Sequence, residues 1–157
     1  MNSLSSLFVS GPLLAFVLIV LAAAILVFVL YLKNLQDLLK EVSSNNRDVP
    51  PANVWLMFIP FFSIIYSFIL YPKIASSLTK EFEGRGIPQE GDYGKGLGLA
   101  MAIIGVVGLV PQLGDFTGIP SLVILIIYWV KMAKYKELLR STQKNGFTMS
   151  NNPDLLD

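Results

Sequence analysis

The run from Phe8 to Leu32, FVSGPLLAFVLIVLAAAILVFVLYL, decides the class of this protein. No charged side chain occurs in it or before it; the first is Lys33. As a helix rising about 1.5 Å per residue it would reach roughly 37 Å, more than the bilayer hydrocarbon core of about 30 Å. A secretory signal is the rival reading, because Ala22-Ala23-Ala24 supplies small residues. The preceding MNSLSS carries no Lys or Arg, however, and the apolar run continues past the alanines through ILVFVLYL. Both features speak for a membrane span instead.

The rest of the chain agrees. Hydrophobic residues make up 54% of the 157 positions and charged residues 15%, where a soluble domain carries about 25% charge. Mean hydropathy is +0.61. Disorder and nucleic-acid binding are both excluded by such a composition, which also has a net charge of only +1. There is no cysteine and no histidine. That removes thiolate and imidazole metal ligands, Ser-His and Cys-His catalysis, and histidine pH sensing. No cofactor, no metal and no catalytic residue set is expected.

Three further apolar runs follow. Residues 54–71, VWLMFIPFFSIIYSFILY, are just long enough to span, with Trp55 and Tyr71 at the ends and Pro60 inside, where a proline kinks or breaks a helix. Residues 94–110 and 117–134 form the third and fourth spans, joined through PQLGDFTG, a tight link that makes them an antiparallel hairpin. The expected fold is therefore all-α, one domain over 1–142 with spans at about 8–32, 54–71, 94–110 and 117–134. A flexible polar tail is expected over 143–157. Residues Leu35, Leu38, Leu39 and Val42 recur at helical spacing, so the first helix should continue past its span to about Glu41.

Orientation follows from Lys and Arg. With four complete spans, both termini in the cytoplasm place nine basic residues inside and three outside. The alternative is a re-entrant 54–71 segment. It would put all 12 inside, with the N-terminus out. Re-entrant backbone is tolerated only where protein buries it. An apolar run long enough to cross favours the full span.

No ionisable residue lies in the middle of any span, which argues against a proton-coupled carrier. Gly94, Gly98, Ala102 and Gly105 fall on one face of the third span, a small-residue face for packing within the chain or between copies. Ser63, Tyr66 and Ser67 could line a small polar cavity, or their hydroxyls could bond back to the helix. Lys131, Lys134, Lys136 and Arg140 form a juxtamembrane basic cluster suited to lipid headgroups. Asp115 reads as a turn cap. Glu81, Glu83, Glu90 and Asp92 read as acids of a solvated loop whose spacing fits no calcium site.

The stretch NRDVPPANVWLMFIPFF (Asn46 to Phe62), then KIASSLTKEF (Lys73 to Phe82) and IYWVKMAKYK (Ile127 to Lys136), resembles a family of small bacterial multipass membrane proteins. In these a PPxxVWLxxIPxF segment opens the second span. The resemblance implies four helices in a bacterial inner membrane and brings no activity, substrate or ligand. The function expected is that of a non-enzymatic accessory, regulatory or assembly subunit. Its partners would be the lipid bilayer and either another membrane protein or a second copy. An oligomeric channel or facilitator for a small solute is the alternative.

Overall fold

A computed structural model describes residues 2–110 and 114–150, and the side chains of 11–110 and 116–143. All regular structure among the described residues is helical. Helix α1 covers Asn2–Glu41. A single 3-10 turn at Ser44–Asn46 and a longer 3-10 helix at Pro51–Phe58 follow. Then come α2 at Phe62–Gly84, α3 at Lys95–Val107 and α4 at Gly114–Ser150. The chain divides into two compact units, Met1–Lys33 and Asn34–Asp157.

In the first unit every described residue from Gly11 to Val27 is exposed. Helix α1 over Gly11–Glu41 is long and apolar enough to cross a membrane, and so is α4 over Phe116–Gln143. Helix α3 is apolar but shorter. Side chains such as Leu13, Phe16 and Ile19, more than half exposed, would each forgo about 1.5–3 kcal/mol of burial if they faced water.

The second unit holds the buried core. Leu35, Leu38, Leu39 and Val42 are buried, as the helical spacing of the sequence requires. So are Leu70, Ile74, Leu78 and Phe82 of α2 and Tyr128, Met132 and Leu139 of α4. Phe82, Tyr93 and Tyr135 form an aromatic triangle with centroids 5.5–5.7 Å apart. The exposed large apolar residues of this unit concentrate elsewhere, over 58–69, 103–110 and 116–130; Leu138 alone lies outside these stretches.

The expected second span is not one helix. The 3-10 helix stops at Phe58, and α2 begins only at Phe62. Ile59, before Pro60, is extended at φ −80° and ψ 111°, because the proline ring crowds an α-conformation at the preceding residue. Phe61 then takes φ +61°, a conformation that strains a side-chain-bearing residue by about 1–3 kcal/mol. Phe62 N–H bonds Pro60 C=O at 2.6 Å and Ser63 N–H bonds Ile59 C=O at 2.9 Å, closing a sharp turn.

Beyond the turn the chain runs back along itself. Asp48 N–H donates to Ser77 Oγ at 2.8 Å, and Asn46 Nδ2 donates to Glu81 at 2.7 Å. As the first residue number falls the second rises, the signature of an antiparallel hairpin with its apex at 59–61. Pro72, by contrast, stays inside α2.

Helices α3 and α4 form the expected antiparallel hairpin. Gly94, before α3, lies against Tyr128 and Met132 of α4, and Gly108, after α3, lies against Thr117 near the start of α4. The link residues 111–113 lie outside the described residues. The helix of α4 continues to Ser150, into the stretch where a polar tail was expected. Extending a formed helix fixes one residue per bond gained, so modest propensities suffice. Residues 151–157 lie outside the described residues.

Candidate functional site

The densest polar constellation sits on the second half of α2. Glu81 and Arg85 are one helical turn apart, so both reach the same face. Glu81 is 1% exposed. Its carboxylate accepts from Ser43 N–H at 3.0 Å, Ser43 Oγ at 2.8 Å, Asn46 Nδ2 at 2.7 Å and Arg85 Nε at 2.8 Å. Arg85 goes further. Its Nη1 donates to the Leu139 carbonyl of α4 at 2.7 Å, and its Nη2 to the Glu41 carbonyl at the end of α1 at 2.9 Å. The planar guanidinium, with five donors in fixed directions, is what lets one side chain bind three acceptors.

Burial alone would raise the Glu81 carboxyl. Hydrogen bonds from Asn46, Arg85 and Ser43 outweigh it and hold the group below the ordinary glutamate value. The pair therefore works as a clasp, fastening α2 to the 43–46 segment, to Glu41 and to α4. Weaker contacts surround it. Lys80 pairs with Asp48 at 2.5 Å, and Arg140 with Glu41 at 2.7 Å.

A second cluster opens α3. Asp92 Oδ1 accepts from Gly94 N–H at 2.9 Å and Oδ2 from Gly96 N–H at 2.5 Å. These satisfy donors that a helix start leaves open. The Gly96 bond, more than the Gly94 and Lys131 contacts, keeps the Asp92 carboxyl below the usual aspartate range against a modest burial effect. Tyr93 and Gly94 both have positive φ, which bends the chain into α3. A cleft of about 430 Å³ lies between α2 and this loop, bordered by Ser76, Thr79, Glu83, Gln89, Asp92 and Lys95.

The residues singled out from sequence distribute as follows. A Cβ on Gly94 would stand 2.6 Å from Met132 Cε, and one on Gly98 would stand 2.5 Å from Tyr71 Cβ. Ala102 is buried, whereas a Cβ on Gly105 would meet nothing within 4 Å. The first two thus admit partners from the same chain, and Gly105 faces open space. Ser67 Oγ donates back to Ile64 C=O at 2.8 Å, and Tyr66 is buried and stacks on Phe62. Ser63 is half-buried.

Three of the four basic residues in the middle of α4 contact the chain itself. Lys131 meets Asp92 at 3.4 Å, Lys136 donates to Asn34 Oδ1 at 2.6 Å, and Arg140 pairs with Glu41; Lys134 is exposed. Asp115 falls in the first turn of α4, and its side chain lies outside those described.

The clasp is what the sequence reading missed. Glu81 is not a solvated loop acid, and it does not gather with Glu83, Glu90 and Asp92. Among the described residues no group of three or more acids is placed to hold a metal ion. The available signal was the i, i+4 spacing of Glu81 and Arg85 beside Leu78 and Phe82, the apolar face that carries α2 into the core.

No family model, curated protein or solved structure matches this chain.

Proposed function

We propose that this chain is a non-enzymatic integral membrane protein, an accessory or assembly subunit held in a cell membrane with its basic segments toward the cytoplasm. The observation that supports this reading most is the division of labour between side chains. Ionisable groups such as Glu81, Arg85, Asp92 and Arg140 are engaged in bonds that hold the fold together. Exposed instead is the unbroken apolar length of α1 from Gly11 to Val27. Such a surface is suited to lipid and to another membrane helix, for which Ala15, Ala22 and Ala23 leave a thin side.

The channel alternative draws less support. One of the three hydroxyls proposed to line its path, that of Ser67, already donates within the chain.

A pull-down of the tagged full chain from native membranes in mild detergent tests the proposal. A stoichiometric foreign membrane protein in the eluate, lost when α1 is replaced by an unrelated apolar span, is the expected result. A lone monomer, or a homo-oligomer whose proteoliposomes pass small solutes, overturns it.

A further inference from the structure

We infer that the segment 51–71 is a re-entrant hairpin that enters and leaves the bilayer from the face carrying the basic residues, with the tip Phe58–Phe62 among the acyl chains of that leaflet. The inference rests on membrane residence and goes beyond it by fixing which surface meets lipid.

Contact between the two flanking loops is the first support. A complete second span would hold residues 43–48 and 77–85 on opposite faces, about 30 Å apart. They are instead joined by Ser43–Glu81, Asn46–Glu81, Asp48–Ser77 and Asp48–Lys80 contacts of 2.5–3.0 Å.

The length of the legs is the second. The 3-10 helix Pro51–Phe58, rising about 2.0 Å per residue, is roughly 16 Å long. The stretch of α2 from Phe62 to Tyr71, at about 1.5 Å per residue, is roughly 15 Å. The legs match each other, and each reaches about half the hydrocarbon thickness.

Exposure supplies the third. Phe61 is 79% exposed and Ile65 69%, with Phe58, Ile59 and Phe62 also open. Five large apolar groups around one turn would be untenable in water and suit a lipid interior. Backbone groups at that depth need internal partners, and the turn supplies them through Phe62 N–H and Ser63 N–H.

Charge completes the case. With 51–71 re-entrant, all 12 Lys and Arg share one side, and neither the N-terminal segment nor the link between α3 and α4 carries any. A full span would strand Lys33, Lys40 and Arg47 on the far side, against the bias that sets orientation.

The chain has no cysteine, so single introduced thiols report cleanly. Ser3→Cys, Ser44→Cys, Phe61→Cys and Glu90→Cys would be made in the full chain. Each would be treated with a membrane-impermeant maleimide in intact cells and in inverted vesicles. Ser44→Cys and Glu90→Cys should react only in inverted vesicles, and Ser3→Cys only in cells. Phe61→Cys should react with neither preparation until detergent is added. A bimane attached there should be quenched most by lipids brominated near the ends of their acyl chains. Labelling of positions 44 and 90 from opposite faces, or of position 61 from the face opposite 44, overturns the hairpin while leaving the membrane subunit reading intact. Recovery of the protein in the soluble fraction would overturn both.

Discussion

From Phe62 to Ile69, α2 turns its large apolar side chains outward; from Leu70 to Phe82, the same helix turns them inward. In the first stretch Phe62, Ile65, Phe68 and Ile69 are exposed while Ser67 is buried. In the second, Leu70, Ile74, Leu78 and Phe82 are buried while Lys73, Lys80 and Glu83 face outward. A single helix thus exposes its large apolar side chains at one end and buries them at the other. Helix α4 repeats the pattern, with open Ile119, Leu122 and Ile126 giving way to buried Met132 and Leu139. The surroundings of each stretch, rather than any helix propensity, decide which face is buried.

The sharpest way to break this comparison is to cut the clasp that organises the water-facing half. Arg85→Ala leaves the Glu81 carboxylate buried without its cation, a change that destabilises by roughly 3–5 kcal/mol. Thermal unfolding in detergent should show it, and Arg85→Lys should recover only part of the loss, since an ammonium cannot reach the same three acceptors in plane.

Packing gives the next effect, and two glycines of one helix separate its causes. Gly98→Ala drives a Cβ against Tyr71 and should lower stability by about 1–3 kcal/mol. Gly105→Ala meets open space and should be neutral or stabilising by up to about 1 kcal/mol, as alanine replaces glycine within a helix. Equal effects at the two positions would contradict the packing assigned here.

Protonation sharpens the same contrast. The Glu81 carboxyl is depressed in the folded state. Its contribution to stability is therefore fully present above the ordinary glutamate value, and it is lost as pH falls through the lower folded-state value. Unfolding followed from pH 7 downward should show this acid loss, and Glu81→Gln should flatten it from a lower starting stability. The smallest effect belongs to the Lys80–Asp48 pair. It is solvated, with the Lys80 side chain half exposed, so Lys80→Ala should cost less than about 1 kcal/mol.

Much of the architecture was legible in the residues. The uncharged length before Lys33 announces the apolar part of α1. The spacing of Leu35, Leu38, Leu39 and Val42 announces the buried face that follows it. Pro60 announces a break, and the glycines of α3 announce close approach. What the residues could not declare was the direction of the chain after the break. A kinked span and a hairpin share the same apolar run. The choice between them rests on bonds between Glu81 and residues more than 30 positions away, and such pairings leave no local pattern. The extension of α4 to Ser150 was hidden for a related reason: STQKNG reads as a stop by propensity, and propensity is a weak prior against a helix already formed.

If 51–71 is the re-entrant hairpin inferred above, the loops before and after it lie together on one side of the membrane. Asp48 and Lys80 meet across that junction, and both side chains reach solvent. The chain carrying Asp48→Cys and Lys80→Cys, held in native membranes, should be joined within itself by a short bifunctional maleimide, with each single variant as control. An intramolecular cross-link in good yield is the predicted result. If both thiols react singly and no cross-link forms, the bilayer stands between them and the account fails.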